Sequence, residues 1–273
     1  MNTMQETTTR GRGRRPARKR ALATVVLAAL ILPLGACEQP GEGGADSASA
    51  RAPGEATQID FVEQRPGIKP YNTRFVVNAD YMRIDDGPGS PDFILLDRKK
   101  RKIYRVDSQE RQIMVVDTKP VKVSPPFDLQ LSEKDLGAMK DAPTVGGQQP
   151  MRYQFSAKGE LCYDVVAVPG LMDDALKAMR EFRQILADDS TNTLNLIPAD
   201  LQNACDLARN TFAPTRHLDR GFPIEEQRKD GYRRSLKTFD LHFKPKAGLF
   251  DLPKGYKTFT IQQFRKGQVS STG

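Results

Sequence analysis

The sequence predicts an α+β domain, one curved antiparallel sheet with helices against one face. Three observations predict it. Apolar residues recur with period two over 74–117 and again from 152 to 264, in runs separated by short polar turns. Two stretches in the second half, 172–186 and 198–210, switch to three- and four-residue spacing. Strands, then helices, then strands sort the elements into layers, where a parallel sheet would alternate them.

The first segment stands apart from that domain. The chain has 273 residues, with 42 Lys+Arg against 34 Asp+Glu and a formal charge of +8, which by itself suggests a nucleic-acid binder. Seven of the basic side chains (Arg10, Arg12, Arg14, Arg15, Arg18, Lys19 and Arg20) and one acid, Glu6, fall in residues 1–36. Beyond them 35 basic and 33 acidic side chains remain, a net of +2, and the nucleic-acid reading loses its basis.

Residues 1–36 have the layout of an export signal, an arginine-rich start followed by the uncharged run ALATVVLAALIL over 21–32. That run is about twelve residues, short of the roughly twenty a membrane-spanning helix needs. Leu34-Gly35-Ala36-Cys37 follows and resembles the bacterial lipobox. The resemblance implies cleavage of the Ala36-Cys37 bond and lipidation of Cys37, with palmitate-type acyl chains. It also implies handling by the lipoprotein-processing and sorting machinery. Arg14-Arg15 is followed by Pro16, Ala17 and Arg18, which favours general secretion over twin-arginine export. Glu38 stands where an aspartate would signal inner-membrane retention, so the expected address is the outer membrane, facing the periplasm, in a two-membrane bacterium.

Residues 37–57 read as the lipidated cysteine and a flexible, solvated tether, because nothing after Cys37 is larger and more apolar than alanine. Gly41 to Gly44 lie outside any strand–helix context and form no phosphate loop. The domain is expected over 58–264 and a flexible tail over 265–273.

Within the domain, 74–85, 93–97, 103–107 and 112–117 read as four strands of a meander. On the first, Phe75, Val77, Ala79 and Tyr81 share a face. Later strands are expected at 152–156, 160–168, 221–228, 233–244 and 256–264, with Asp230-Gly231 as a hairpin turn. In 172–186, Met172, Leu176, Met179, Phe182 and Leu186 form one apolar stripe, with Asp173 and Asp174 in the first turn, where the helix dipole favours acids. The 198–210 helix is expected to start with Pro198 in its first turn and to carry Leu201, Ala204, Cys205 and Ala208.

Cys162 and Cys205 are the two thiols left beyond Cys37, and export into an oxidising space makes their pairing the expectation. The bond would tie a strand to a helix. Closing about 44 residues stabilises by roughly 4 kcal/mol in the chain-entropy picture.

The segments ADYMRIDDG (79–87) and FILLDRKKRKIYRVDSQERQIMVVD (93–117) resemble a family of secreted or lipid-anchored bacterial domains of unknown function. That family is related in fold to the outer-membrane lipoprotein carrier. The similarity continues through Gly221-Phe222-Pro223, Asp230-Gly231 and GLFDLPKGY (248–256). It implies an unclosed half-barrel whose concave, apolar face is covered by helices, a hollow that holds acyl chains in carrier-like proteins.

Candidate chemistry is sparse. No G-x-S-x-G occurs, and the two histidines, His217 and His242, read as a surface linker residue and a solvated strand residue. His217 with Asp219 is the one pairing that could form a base and its orienter. No metal-ligand spacing or cofactor motif is present, and the acidic turn 85–92 reads as a hairpin loop in preference to a calcium site. The basic run 98–102 reads as a solvated turn, able to rest on anionic head groups. The stripe Met172, Leu176, Met179, Phe182 and Leu186 has two readings, core packing or the lining of a lipid hollow. The expected function is a non-catalytic envelope lipoprotein with a hydrophobic or lipid ligand, no cofactor and no nucleic acid. A structural or protein-interaction module without a cavity is the alternative.

Overall fold

The computed structural model describes residues 54–269. The export signal expected over 1–36, the expected Ala36-Cys37 cleavage and lipidation site, residues 38–53 of the expected tether and residues 270–273 of the expected tail lie outside the described residues.

Twelve strands form one sheet: β1 (Ala56–Gln64), β2 (Tyr71–Val77), β3 (Tyr81–Asp85), β4 (Phe93–Asp97), β5 (Lys102–Asp107), β6 (Gln112–Val116), β7 (Ser132–Ala138), β8 (Met151–Ala157), β9 (Glu160–Val168), β10 (Phe222–Arg228), β11 (Arg233–Phe243) and β12 (Lys257–Thr260). Their spatial order is β12-β6-β5-β4-β3-β2-β1-β11-β10-β9-β8-β7, with no pairing between the outer two, so the sheet is unclosed. Two meanders, β1 to β6 and β7 to β11, are joined side by side where β1 pairs antiparallel with β11. The expected antiparallel sheet has one exception: β12 runs parallel to β6. The long connection after β11 permits this direction, which no hairpin could.

Curvature follows from what the sheet buries. α1 (Asp173–Thr191) packs into a core whose members come from nine adjacent strands, among them Val116, Ile103, Leu96, Met82, Phe75, Ile59, Leu236, Phe222 and Val168. Laid flat, nine strands would span about 38 Å. A helix is about 10 Å across. Only a sheet curled around the helix places all nine in one core, which is the α+β half-barrel plan.

A second core lies between β8, β9 and the short α2 (Ala204–Leu207), and includes Tyr153, Phe155, Tyr163, Leu194 and Leu207. A third covers the opposite face of the sheet. There Phe250, Leu252 and Tyr256 lie on Phe93, Leu95, Val106, Ile113 and Val115, and Phe250 stacks on Tyr81 at 5.6 Å. Arg83 ties the same two segments, donating to the carbonyls of Leu249 and Ser90 at 3.0 Å each. The motifs at 79–117 and 248–256 are therefore two halves of one packing unit.

Several sequence expectations are corrected. The run 74–85 is two strands, because the Asn78 carboxamide oxygen accepts from the backbone N–H of Asp80 (3.0 Å) and Tyr81 (2.7 Å) and turns the chain. That turn sends Tyr81 to the face opposite Phe75 and Val77. β1, central in the sheet, begins at Ala56, and its polar-rich ATQIDFVEQ hides the inward set Ile59, Phe61 and Glu63. β7 (SEKDLGA) carries no alternation to announce it, since an exposed edge strand needs no apolar face.

Residues 256–264 divide into β12 and α3 (Ile261–Arg265), where Thr260 and Gln263 form a reciprocal capping box. The proline-led helix also changes. A 3-10 turn (Ala199–Leu201) comes first, and α2 begins after Asn203, whose side chain accepts from the N–H of Asp206 at 2.8 Å. A π-helical turn (Ala208–Phe212) completes it, and Leu201 is left 67% exposed. Arg265, placed by sequence in a flexible tail, ends α3 and pairs with Asp189, and Val269 is buried.

Candidate functional site

The helix-covered interior of the sheet is where the family resemblance implies a hollow and where the stripe could equally pack as core. Met172, Leu176 and Met179 are all at most 7% exposed, and Phe182 and Leu186 pack against them, in one cluster with Ile59, Phe61, Phe75 and Leu96. All five predicted lining residues therefore come together, and they do so as core. Met172 precedes α1 in the left-handed conformation, φ 51°, and its carbonyl accepts from Leu176 N–H at 2.9 Å. None of the four pockets described is lined by any of the five.

α1 is also fastened by charge. Arg98, from the basic run, reaches Asp174 at 2.8 Å and Glu181 at 2.7 Å with its side chain only 7% exposed. Arg101 faces Asp188 at 3.4 Å, and Asp189 takes Arg265 at 2.5 Å and the Thr118 hydroxyl at 2.9 Å. Lys99, Lys100 and Lys102 pair with Asp80, Asp97 and Asp117. The run is the expected turn between β4 and β5, yet its charges are already matched within the chain. Arg98 is the member that sequence reasoning missed as a docking residue for α1.

The interior is not apolar throughout. Glu226 on β10 and Arg234 on β11 are cross-strand neighbours, paired at 3.2 Å with side chains 3% and 6% exposed. The Arg234 guanidinium lies over Phe61 at 4.8 Å. Burial by itself would raise the Glu226 carboxyl, but the Arg234 guanidinium foremost, with Arg183, outweighs it and holds the group below the ordinary carboxylate range. Arg183 of α1 is half-buried, and desolvation pushes its pKa down.

His217 joins this cluster and is 2% exposed, which corrects the surface-linker reading. The 3-10 turn Arg216–Arg220 tucks His217 and Leu218 inward. The ring stands edge-on to Tyr163 at 5.5 Å, and neither nitrogen has a hydrogen-bond partner. Burial, with Arg183, Arg234 and Arg216 adding to it, pushes its pKa down to about 3. Asp219 turns away to Arg180 at 3.4 Å, so His217 and Asp219 do not meet as base and orienter. His242 is exposed on β11 and faces Glu55 at 3.1 Å.

Cys162 and Cys205 form the strand-to-helix disulfide, with a Cα separation of 5.2 Å. It borders an open pocket of about 410 Å³ between α2 and the β10–β11 turn, lined also by Asn203, Asp206, Arg209, Arg228 and Asp230. The acidic turn has protein partners for two of its acids. Asp85 takes both Arg74 and Arg83, and Asp92 takes the N–H and hydroxyl of Ser108. Among the described residues no helix is long and apolar enough to cross a membrane.

No protein-family model matches the sequence, and no curated protein matches it. Solved structures of similar outline exist at low identity. An uncharacterized conserved protein from Thermus thermophilus aligns with TM-score 0.39 and 10% identity over 76% of this chain and 91% of that one. PNGF-II aligns with TM-score 0.37 and 9% identity over 78% of this chain and 32% of its own length. The MucA/MucB complex of Pseudomonas aeruginosa gives TM-score 0.37 and 11% identity over 76% of this chain and 59% of that one. Likenesses at this level carry no argument about function, so the residues must supply it.

Proposed function

We propose that this chain is a non-catalytic bacterial envelope lipoprotein of the family its motifs resemble. It is held to the outer membrane, facing the periplasm, through a lipidated Cys37, and works as a protein-interaction module. The sequence supports the address. The observation that carries the module is the packing of α1: Met172, Leu176 and Met179 are spent on the core of the sheet, and Arg98, Arg101 and Arg265 fasten the helix over them. A carrier hollow would need that stripe free. Solvent-facing surface is then what remains for recognition.

Two measurements test this. Metabolic labelling with an alkyne palmitate analogue should mark the wild type and not Cys37→Ala, and equal labelling would refute the anchor. Mass spectrometry of organic extracts from the purified protein should show no stoichiometric lipid. One lipid per chain would restore the carrier reading.

A further inference from the structure

Between the two meanders, eight consecutive residues are exposed: Lys119-Pro120-Val121-Lys122-Val123-Ser124-Pro125-Pro126. They include Val121 and Val123, 49% and 36% exposed, and they contain no glycine and no acid. No helix or strand includes them, and among the described residues no backbone hydrogen bond engages them. Both ends are fixed. Before the segment, the Thr118 hydroxyl donates to Asp189 at 2.9 Å and accepts from Gln262 at 3.3 Å. After it, Phe127 packs on the second core with the Lys158 ammonium over its ring at 4.6 Å. Leu129 is buried, and its carbonyl accepts from the Lys158 N–H at 2.9 Å. The anchored ends present the eight residues to solvent.

The residue types of this strap restrict its shape. Proline holds φ at about −65°, and a residue before proline is kept extended, which restricts Lys119, Pro120, Ser124, Pro125 and Pro126. None of the eight residues has a positive φ. Those restraints favour a polyproline II course, with about three residues per turn. At that period Pro120, Val123 and Pro126 share one edge, and Lys119, Lys122 and Pro125 share the next. The first edge is apolar. The second is cationic, and its charges are open. Lys99, Lys100 and Lys102 pair with acids, whereas among the described residues no ion pair involves Lys119 or Lys122. The missing N–H groups of the prolines also disfavour an added β-strand, which needs its donors.

We propose that residues 119–126 are a linear docking segment, taken up in a polyproline II conformation by a partner protein whose groove is lined by aromatic rings and edged by carboxylates. The proposal rests on the protein-interaction reading above and gives that module its contact surface. Aromatic rings pack against the proline and valine edge, and carboxylates answer Lys119 and Lys122. A proline-rich segment fixed at both ends has little conformational freedom left to lose on binding, which suits so short a contact.

The test is photocrosslinking of the full chain in its own cells, with p-benzoylphenylalanine replacing Val121, which lies on neither edge. The same group replacing Leu196, 75% exposed on the 3-10 turn Leu194–Leu196, is the control. Illumination should give one protein adduct from the Val121 site, identified by mass spectrometry. Its yield should fall about tenfold or more in Pro120→Ala/Pro126→Ala and in Lys119→Glu/Lys122→Glu. The protein so identified, once purified, should bind the purified wild-type chain saturably, and each double variant should raise the Kd about tenfold or more. All four side chains are exposed, so both variants should keep the wild-type unfolding temperature, which separates lost docking from lost folding. Unchanged yield and Kd in either double variant would overturn the proposal. A lipid adduct would overturn it too, and would assign the two lysines to a membrane surface. An adduct at the Leu196 site without one at Val121 would overturn it and leave the interaction reading standing. No adduct at either site would overturn both.

Discussion

Replacing His217 by phenylalanine should remove most of the stability that the protein loses between pH 7.5 and pH 5. In the folded chain burial holds the imidazole neutral, with its pKa pushed down to about 3. In the unfolded chain it titrates near 6.5. Above pH 6.5 both states carry the neutral ring, and the contribution to stability is whole. Below it the unfolded state takes up a proton that the folded state refuses, so stability falls steadily until the pH reaches about 3. At pH 5 the difference amounts to about 2 kcal/mol, an order-of-magnitude figure from the linkage relation. For a domain of this size that is about 4–8 °C in unfolding temperature.

The assay is denaturant unfolding of wild type and His217→Phe at both pH values. Any packing cost of the larger ring is common to both pH values and cancels in the comparison. The chain has two histidines, and His242 is present in both proteins, so the difference between them reports on His217. Parallel acid losses in the two proteins would refute the reasoning and place the proton acceptor elsewhere.

Other perturbations probe separate parts of the structure. Asp85→Asn should cost about 3 kcal/mol, because it leaves Arg74 and Arg83 buried without their carboxylate; a loss under about 1 kcal/mol in urea unfolding would sink that account. Leu176→Ala should cost about 2–5 kcal/mol if the stripe is core, since the surrounding residues cannot collapse fully into the gap. A near-neutral result would instead mark a solvated hollow beneath α1. The double variant Cys162→Ser/Cys205→Ser should lose up to about 4 kcal/mol, the loop-closure contribution for a sequence separation of 43 residues. Unchanged unfolding midpoints with and without reductant in the wild type would contradict it.

Much of the frame was legible from residue order alone. Alternation placed 93–97 and 160–168 at the bounds found for β4 and β9, and three- to four-residue spacing found α1, because local backbone period needs no knowledge of partners. Signals that were present but outweighed by the apolar pattern account for several misses. Thr260 and Gln263 spell a capping box inside what reads as a strand, and Asn78 spells the turn that splits β2 from β3. β1 and β7 escaped because their burial comes from neighbours far away in the chain, or not at all.

Charge shows the division most clearly. The sequence by itself located the protein's excess of positive charge in its first 36 residues and paired two cysteines, since both conclusions rest on composition and counting. Whether the α1 stripe lines a hollow or fills a core depended on how far nine strands curl around one helix, a sum of twist that no local segment contains. The fate of each charged residue was likewise decided in three dimensions. Arg98 became a clamp, and His217 and Glu226 went inside, because strands and turns distant in sequence closed over them. Polarity sets only the penalty for burying a side chain, and the fold determines which residues bear it.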